Sequence, residues 1–269
     1  MPLVLLEISG GVAVVTLNRP DKHNALNAEM MVRLAETWDQ IARDETVQVA
    51  LLTGAGGRAF CAGADLTSLV PLATGAREPE TVFERRWVDD HQAVVDGALL
   101  RNTRFFKPVV AAVGGLAVAA GFELILGTDI RIASTQSTFQ LSEVRYGLIP
   151  SGGSLVRLPR QIGWANAMEI ILAGASIKAE RALAFGLVNR VVAAEDVLAV
   201  AREFCDRIAE AGPLAVAKAK EAMVNCSGRD LNEAFAIEQA CQAVVMASAD
   251  AREGALAFTE KRDPRFLGR

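Results

Sequence analysis

Lys107-Pro-Val-Val-Ala-Ala-Val-Gly-Gly-Leu-Ala-Val-Ala-Ala-Gly-Phe-Glu123 is the stretch whose reading decides the fold. Lys107-Pro108 ends any helix that precedes it, because the residue before a proline is pushed out of the helical region. Val109–Val113 is a short, wholly apolar run and predicts a buried strand. Gly114-Gly115 predicts a turn, and a helix is predicted to begin near Ala120. A helix start leaves backbone N–H groups unpaired and carries a positive dipole end, so this segment can stabilise charge developing on an oxygen. Glu123 then opens an apolar turn.

The same alternation extends outward on both sides. Leu3–Ile8 and Val12–Leu17 are β-rich runs around Ser9-Gly10-Gly11, a hairpin signal. Asn27 is a candidate cap for a helix running to about Arg43, with Met30, Met31, Leu34, Trp38 and Ile41 at helical spacing. Val47–Leu52 is predicted as a buried strand that ends at a glycine loop. Residues 79–104 are predicted as one helix, its stripe of Phe83, Trp87 and His91 serving packing. Ile130–Ala133 is a further strand, followed by helices around Ala165–Leu172 and before Gly186 and a strand at Leu187–Val192. From Glu195 onward the pattern is helical, punctuated by Pro213 and Gly228, and its apolar faces call for a partner surface. The chain therefore reads as α/β, with a core over residues 1–195 and a helical region over 196–269.

Bulk properties narrow the functional classes. A net charge of −4 over 269 residues argues against general nucleic-acid binding. No apolar run is long enough for a membrane span, and the N-terminus reads as a strand and not a signal peptide. Cys61, Cys205, Cys226 and Cys241 show no paired spacing, which predicts reduced thiols in a cytoplasmic protein. With only His23 and His91 present, a histidine-based metal site is not expected.

The chemistry centres on Glu123 and Glu143. Taken singly, Glu123 reads as an acid at a helix N-terminus and Glu143 as a loop residue. Together, each in an apolar setting beside glycine-rich backbone, they suggest acid/base work with raised pKa values. The small-residue loop Arg58-Ala-Phe-Cys-Ala-Gly-Ala-Asp65 would let a ligand approach the backbone closely. Asp65 can serve either that ligand or the loop's own N–H groups. Cys61 reads as a small buried thiol. Gly54-Ala-Gly56-Gly-Arg-Ala59 imitates a dinucleotide-binding fingerprint, but the residues after it, from Phe60 to Asp65, have no helical face.

Several of these segments, in this order, resemble the enoyl-CoA hydratase/isomerase (crotonase) superfamily over nearly the whole chain. They are Ala59-Phe-Cys-Ala-Gly-Ala-Asp65, the Lys107-Pro strand with its glycine turn, Glu123-Leu-x-Leu-x-x-Asp129-Ile-Arg-Ile-Ala, and Glu253-Gly254-x-x-Ala257-Phe258-x-Glu260-Lys261-Arg262. The resemblance implies a ClpP/crotonase-like spiral of ββα units with a C-terminal helical trimerisation region, assembled as a homotrimer or as a hexamer of two trimers. It implies an acyl-CoA substrate, with CoA part of that substrate and neither metal nor separate cofactor. Ala62 and Ala120 match positions whose N–H groups form an oxyanion hole, and Glu123 and Glu143 match the paired glutamates of hydratases. Substrate contacts are implied at Lys22, Ala25, Ala62, Gly63, Ala64, Asp65, Leu66 and Gly121, with Phe258 and Lys261 reaching CoA from a neighbouring subunit. Arg19 and Arg58 lie in segments that line the nucleotide in relatives. The expected reaction is reversible hydration of a 2-enoyl-CoA; the alternatives are a specialised dehydratase or isomerase, or a non-catalytic acyl-CoA-binding protein. Three departures stand out: Ala119-Ala120-Gly121 replaces a usual run of glycines, Ser154 a frequent glycine, and Ser142 a common proline.

Overall fold

The computed structural model describes residues 1–101 and 105–269. In chain order the elements are β1 (Val4–Ser9), β2 (Val12–Leu17), α1 (Ala28–Arg43), β3 (Val49–Gly54), β4 (Ala59–Cys61), α2 (Leu69–Ala73), α3 (Val82–Asp89), α4 (His91–Ala98), β5 (Val109–Val113), β6 (Leu116–Val118) and α5 (Ala120–Leu126). Then come β7 (Ile130–Ser134), β8 (Thr138–Gln140), α6 (Ser154–Ile162), α7 (Trp164–Ala173), β9 (Ser176–Lys178), α8 (Ala179–Ala184), β10 (Arg190–Val192), α9 (Val197–Ala209), α10 (Pro213–Cys226), α11 (Leu231–Met246) and α12 (Ala249–Glu260).

Successive strand pairs divide between two sheets. β3, β5 and β7 enter a six-stranded sheet ordered β1-β2-β3-β5-β7-β10, while β4, β6 and β8 enter a four-stranded sheet ordered β4-β6-β8-β9. Each pair is followed by helix, so the chain repeats a ββα unit that advances along both sheets. Among the described residues, only the β1–β2 hairpin and the β8–β9 pair are antiparallel. The main core fills the space between the sheets and α1, α4, α5 and α6, with Phe60, Phe122 and Phe139 fully buried. A second cluster lies on the other face of the large sheet, where Val197, Ala201 and Cys205 of α9 cover Val49, Leu51, Val110 and Ile132.

Helix α1 follows its sequence signals: Asn27 Oδ1 accepts from Met30 N at 2.9 Å, and the apolar stripe is buried. The single helix expected over 79–104 is instead two. Thr81 and Glu84 form a capping box that sets the start at Val82, and Asp90 leaves helical geometry (φ −112°, ψ 32°). Its expected end, residues 102–104, lies outside the described residues. Helix α6 contains Pro159 and follows Gly152-Gly153, which is why the pattern obscured it. Strand β10 is shorter than expected, because Asn189 N donates to Arg131 O and Leu187 N to Ala182 O outside the ladder.

The helical region expected from residue 196 divides in two. Helix α9 is a layer of the core, whereas α10–α12 carry few buried residues. Lys220 ties α10 to the core, donating to Asp129 Oδ2 at 2.7 Å and Lys107 O at 2.9 Å. No helix among the described residues is long and apolar enough to cross a membrane.

Candidate active site

Glu123 sits in the first turn of α5 and is buried, 3% exposed. Its Oε1 accepts two hydrogen bonds from Ser154, from the backbone N–H at 3.1 Å and from the hydroxyl at 2.7 Å. Ser154 is the first residue of α6, so the positive end of that helix faces the carboxylate. Oε2 of Glu123 lies against the backbone of Gly152. A Cβ there would collide with that oxygen and come within 2.8 Å of the Glu123 Cδ and 2.6 Å of Leu99 Cδ1, so a side chain at 152 would force the carboxylate or Leu99 to shift.

Glu143 begins a 3-10 turn, Glu143–Tyr146. Its Oε2 is buried and meets no hydrogen-bond partner among the described residues. Burial pushes its carboxyl up to about 7; a hydrogen bond from its own backbone pulls the other way, and the nearby charge of Glu123 adds to the rise. The two glutamates are therefore close enough to influence each other electrostatically, across the twenty positions that separate them in sequence.

The loop after β4 faces the start of α5. Gly63 (φ +95°) is so close that a Cβ would stand 2.7 Å from Ala119 Cβ and 3.3 Å from Ala120 N. The expectation for Ala62 is corrected here: its N–H donates to His23 O at 2.9 Å and is committed to that bond. In the same loop Ala64 N–H meets no acceptor among the described residues, because Leu26 bonds its neighbours Gly63 O and Asp65 N instead. Ala120 N–H, at the first position of α5, is likewise free of an acceptor among the described residues. Ala119 adopts φ 51°, ψ −127°, a conformation suited to glycine. For an alanine this stores about 1–3 kcal/mol of strain, and the surrounding contacts hold it beside Ala120 N–H.

Asp65 resolves toward the loop. Its Oδ1 accepts from Thr67 N and Oγ1, and its Oδ2 pairs with Arg19 at 2.7 Å. Burial raises its carboxyl, but Thr67 and Arg19 together outweigh burial and leave it below the ordinary value. Arg19 also donates to Ala25 O, so this arginine is occupied in holding the loop. Asn24 is the fastener that sequence reasoning missed. Fully buried and left-handed (φ 56°), it donates to Ala55 O and Ala59 O and accepts from Arg19 N. The signal was present in its residue type, since asparagine tolerates that conformation. Burial pushes the Cys61 thiol up to about 12, and it donates to Asn24 O, so it is no nucleophile.

Of the remaining expected contacts, Gly63 lies within this loop and Ala25 beside it, Gly121 is buried against Cys61, and Lys22 and Leu66 are exposed near its edges. Phe258 and Lys261 are not brought to the site: Phe258 is 87% exposed on α12, whose main packing partner is α11.

Comparison with known proteins bears on the family and the fold. The sequence model of one family, described as Enoyl-CoA hydratase/isomerase, matches residues 7–269. The chain is 39% identical to enoyl-CoA hydratase EchA19 of Mycobacterium tuberculosis, covering 100% of this chain and 97% of that protein. It is 37% identical to (E)-benzylidenesuccinyl-CoA hydratase of Thauera aromatica, covering 98% and 99%. A crystal structure of an enoyl-CoA hydratase from Mycobacterium tuberculosis superposes with a TM-score of 0.88 at 39% identity, covering 100% of both chains.

Proposed function

The chain belongs to the enoyl-CoA hydratase/isomerase family, and we propose that it catalyses reversible syn hydration of a 2-enoyl-CoA thioester to the 3-hydroxyacyl-CoA. One observation carries the reading. Two carboxylates lie close enough to influence each other electrostatically, Glu123 buried and held by Ser154 and Glu143 half-buried, pushed up to about 7, with an unpartnered oxygen among the described residues. Taking two carboxylates wholly or partly out of water is costly, and a mere acyl-CoA binder gains nothing in return for that cost.

In this reading the thioester oxygen rests on the N–H groups of Ala64 and Ala120. These stabilise the enolate that forms as water adds; one such donor contributes about 3–4 kcal/mol to a transition state. Glu123 takes a proton from water as its oxygen bonds to C3, and Glu143 gives a proton to C2. Return of the proton from Glu123 to Glu143 restores the pair, and the net change is one water added. Lys22, Leu66 and the rest of the 62–66 loop flank the path of the acyl-CoA.

The test is loss of the conjugated thioester absorbance when the purified protein meets crotonyl-CoA and longer or aryl-substituted enoyl-CoAs. Turnover of at least one is expected, and no turnover across the panel would sink the hydratase reading. The strained Ala119, with a methyl group beside the thioester position, favours one second reading: a dehydratase or isomerase with a particular acyl group. Mass spectrometry separates the two, since hydration adds a water and isomerisation does not.

The unpaired cysteines among the described residues fit a cytoplasmic location. We further propose that α10–α12 mediate a homotrimer or a hexamer of two trimers, since Met223, Phe235 and Met246 stand more than half exposed there. Phe258 and Lys261 would then approach a neighbour's CoA. Sedimentation should give three or six chains, and a monomer at micromolar concentration would contradict this assembly.

A further inference from the structure

We infer that Ser154 is a positioning residue that fixes which oxygen of Glu123 does the chemistry. The inference rests on the hydratase reading and deepens it. Ser154 is fully buried, and its hydroxyl donates to Glu123 Oε1 at 2.7 Å. The backbone N–H of the same residue reaches the same oxygen at 3.1 Å. Two donors on one oxygen hold the carboxylate plane against rotation about its last bond, a torsion that is otherwise broad. Oε2 is thereby left as the oxygen that accepts and returns the proton of water. Gly152 lies against Oε2 and Leu99 lies close by. Without the hydroxyl, the carboxylate keeps one weaker donor and gains freedom to swing.

The step itself balances. Water gives one proton to Oε2 while its oxygen bonds to C3, and Ser154 keeps its own proton throughout. The hydroxyl acts through Glu123 and does not touch the acyl-CoA.

Ser154→Ala keeps the backbone N–H and removes only the hydroxyl. It is expected to lower kcat for hydration about tenfold, the scale of a hydrogen bond to a charged group, while KM and the melting temperature stay near those of the parent. Ser154→Thr, which restores a hydroxyl, should recover most of the rate. A crystal structure of Ser154→Ala is expected to show the Glu123 carboxylate turned or in two orientations. Two results would overturn the inference: parental kcat in Ser154→Ala, or an unmoved, singly oriented carboxylate in its crystal structure. If the parent hydrates no enoyl-CoA, the hydratase reading fails, and the carboxylate's orientation in the variant still decides the role of the hydroxyl.

Discussion

Glu143→Gln is expected to lower hydration turnover by about 10²–10⁴-fold, the range for removing a general acid, while making the folded protein more stable above neutral pH. The two effects share one cause. Burial, with a contribution from Glu123, raises the Glu143 carboxyl from its ordinary 4.5 to about 7. Between those values the folded protein holds a proton that the unfolded chain releases. Stability attributable to this group is therefore full below about pH 4.5, declines as pH rises to about 7, and stays low above that. The full gap corresponds to about 3 kcal/mol, but Glu143 is partly open to solvent, so about 1–2 kcal/mol is expected. Glutamine carries no such penalty. Denaturant melts at pH 5 and pH 8 check this: the parent should lose more stability than Glu143→Gln between them. Equal losses would mean that the group is not held protonated by the fold. The rate should obey the same titration, with hydration kcat/KM falling as pH rises through about 7 and Glu143 loses its proton.

Gly152→Ala is expected to cost about 10²-fold in kcat, the penalty typical of displacing a catalytic group by about an ångström. The new methyl would meet Glu123 Oε2 directly and stand 2.6 Å from Leu99 Cδ1. Neither neighbour gives way easily, because Ser154 holds the carboxylate and Leu99 is buried in the core. Overpacking of this kind costs about 1–3 kcal/mol of stability, too little by itself to explain such a rate loss in a protein that remains folded. Gly114→Ala is the matched control: no atom lies within 4 Å of its added Cβ, and both rate and stability should hold. If Gly152→Ala folds and turns over at the parental rate, the placement of Glu123 against this backbone is wrong.

Much of the architecture was legible from periodicity. The hairpin strands, α1 with its Asn27 cap, and the Val109–Val113 strand stand where the sequence places them, because each is long enough or capped clearly enough to carry its own signal. The three-residue strands β4, β6, β8 and β9 were not legible, since alternation over three residues cannot be told from chance. Helix α6 was hidden by Pro159 and the glycines before it. The break at Asp90 was hidden by an apolar stripe that runs through both α3 and α4.

By itself the sequence determined the alternation of strand and helix, the family, and two glutamates set beside glycine-rich backbone, because these depend on residue type and local order. Only the tertiary structure decided which groups remain free to react. Ala62 N–H is taken by His23 O, whereas the N–H groups of Ala64 and Ala120 meet no acceptor among the described residues. Asp65 is taken by Thr67 and Arg19, and one oxygen of Glu123 by Ser154, thirty-one residues away. A backbone or carboxylate group is available only when no neighbour in space has claimed it, and apart from Thr67 those neighbours come from distant parts of the chain.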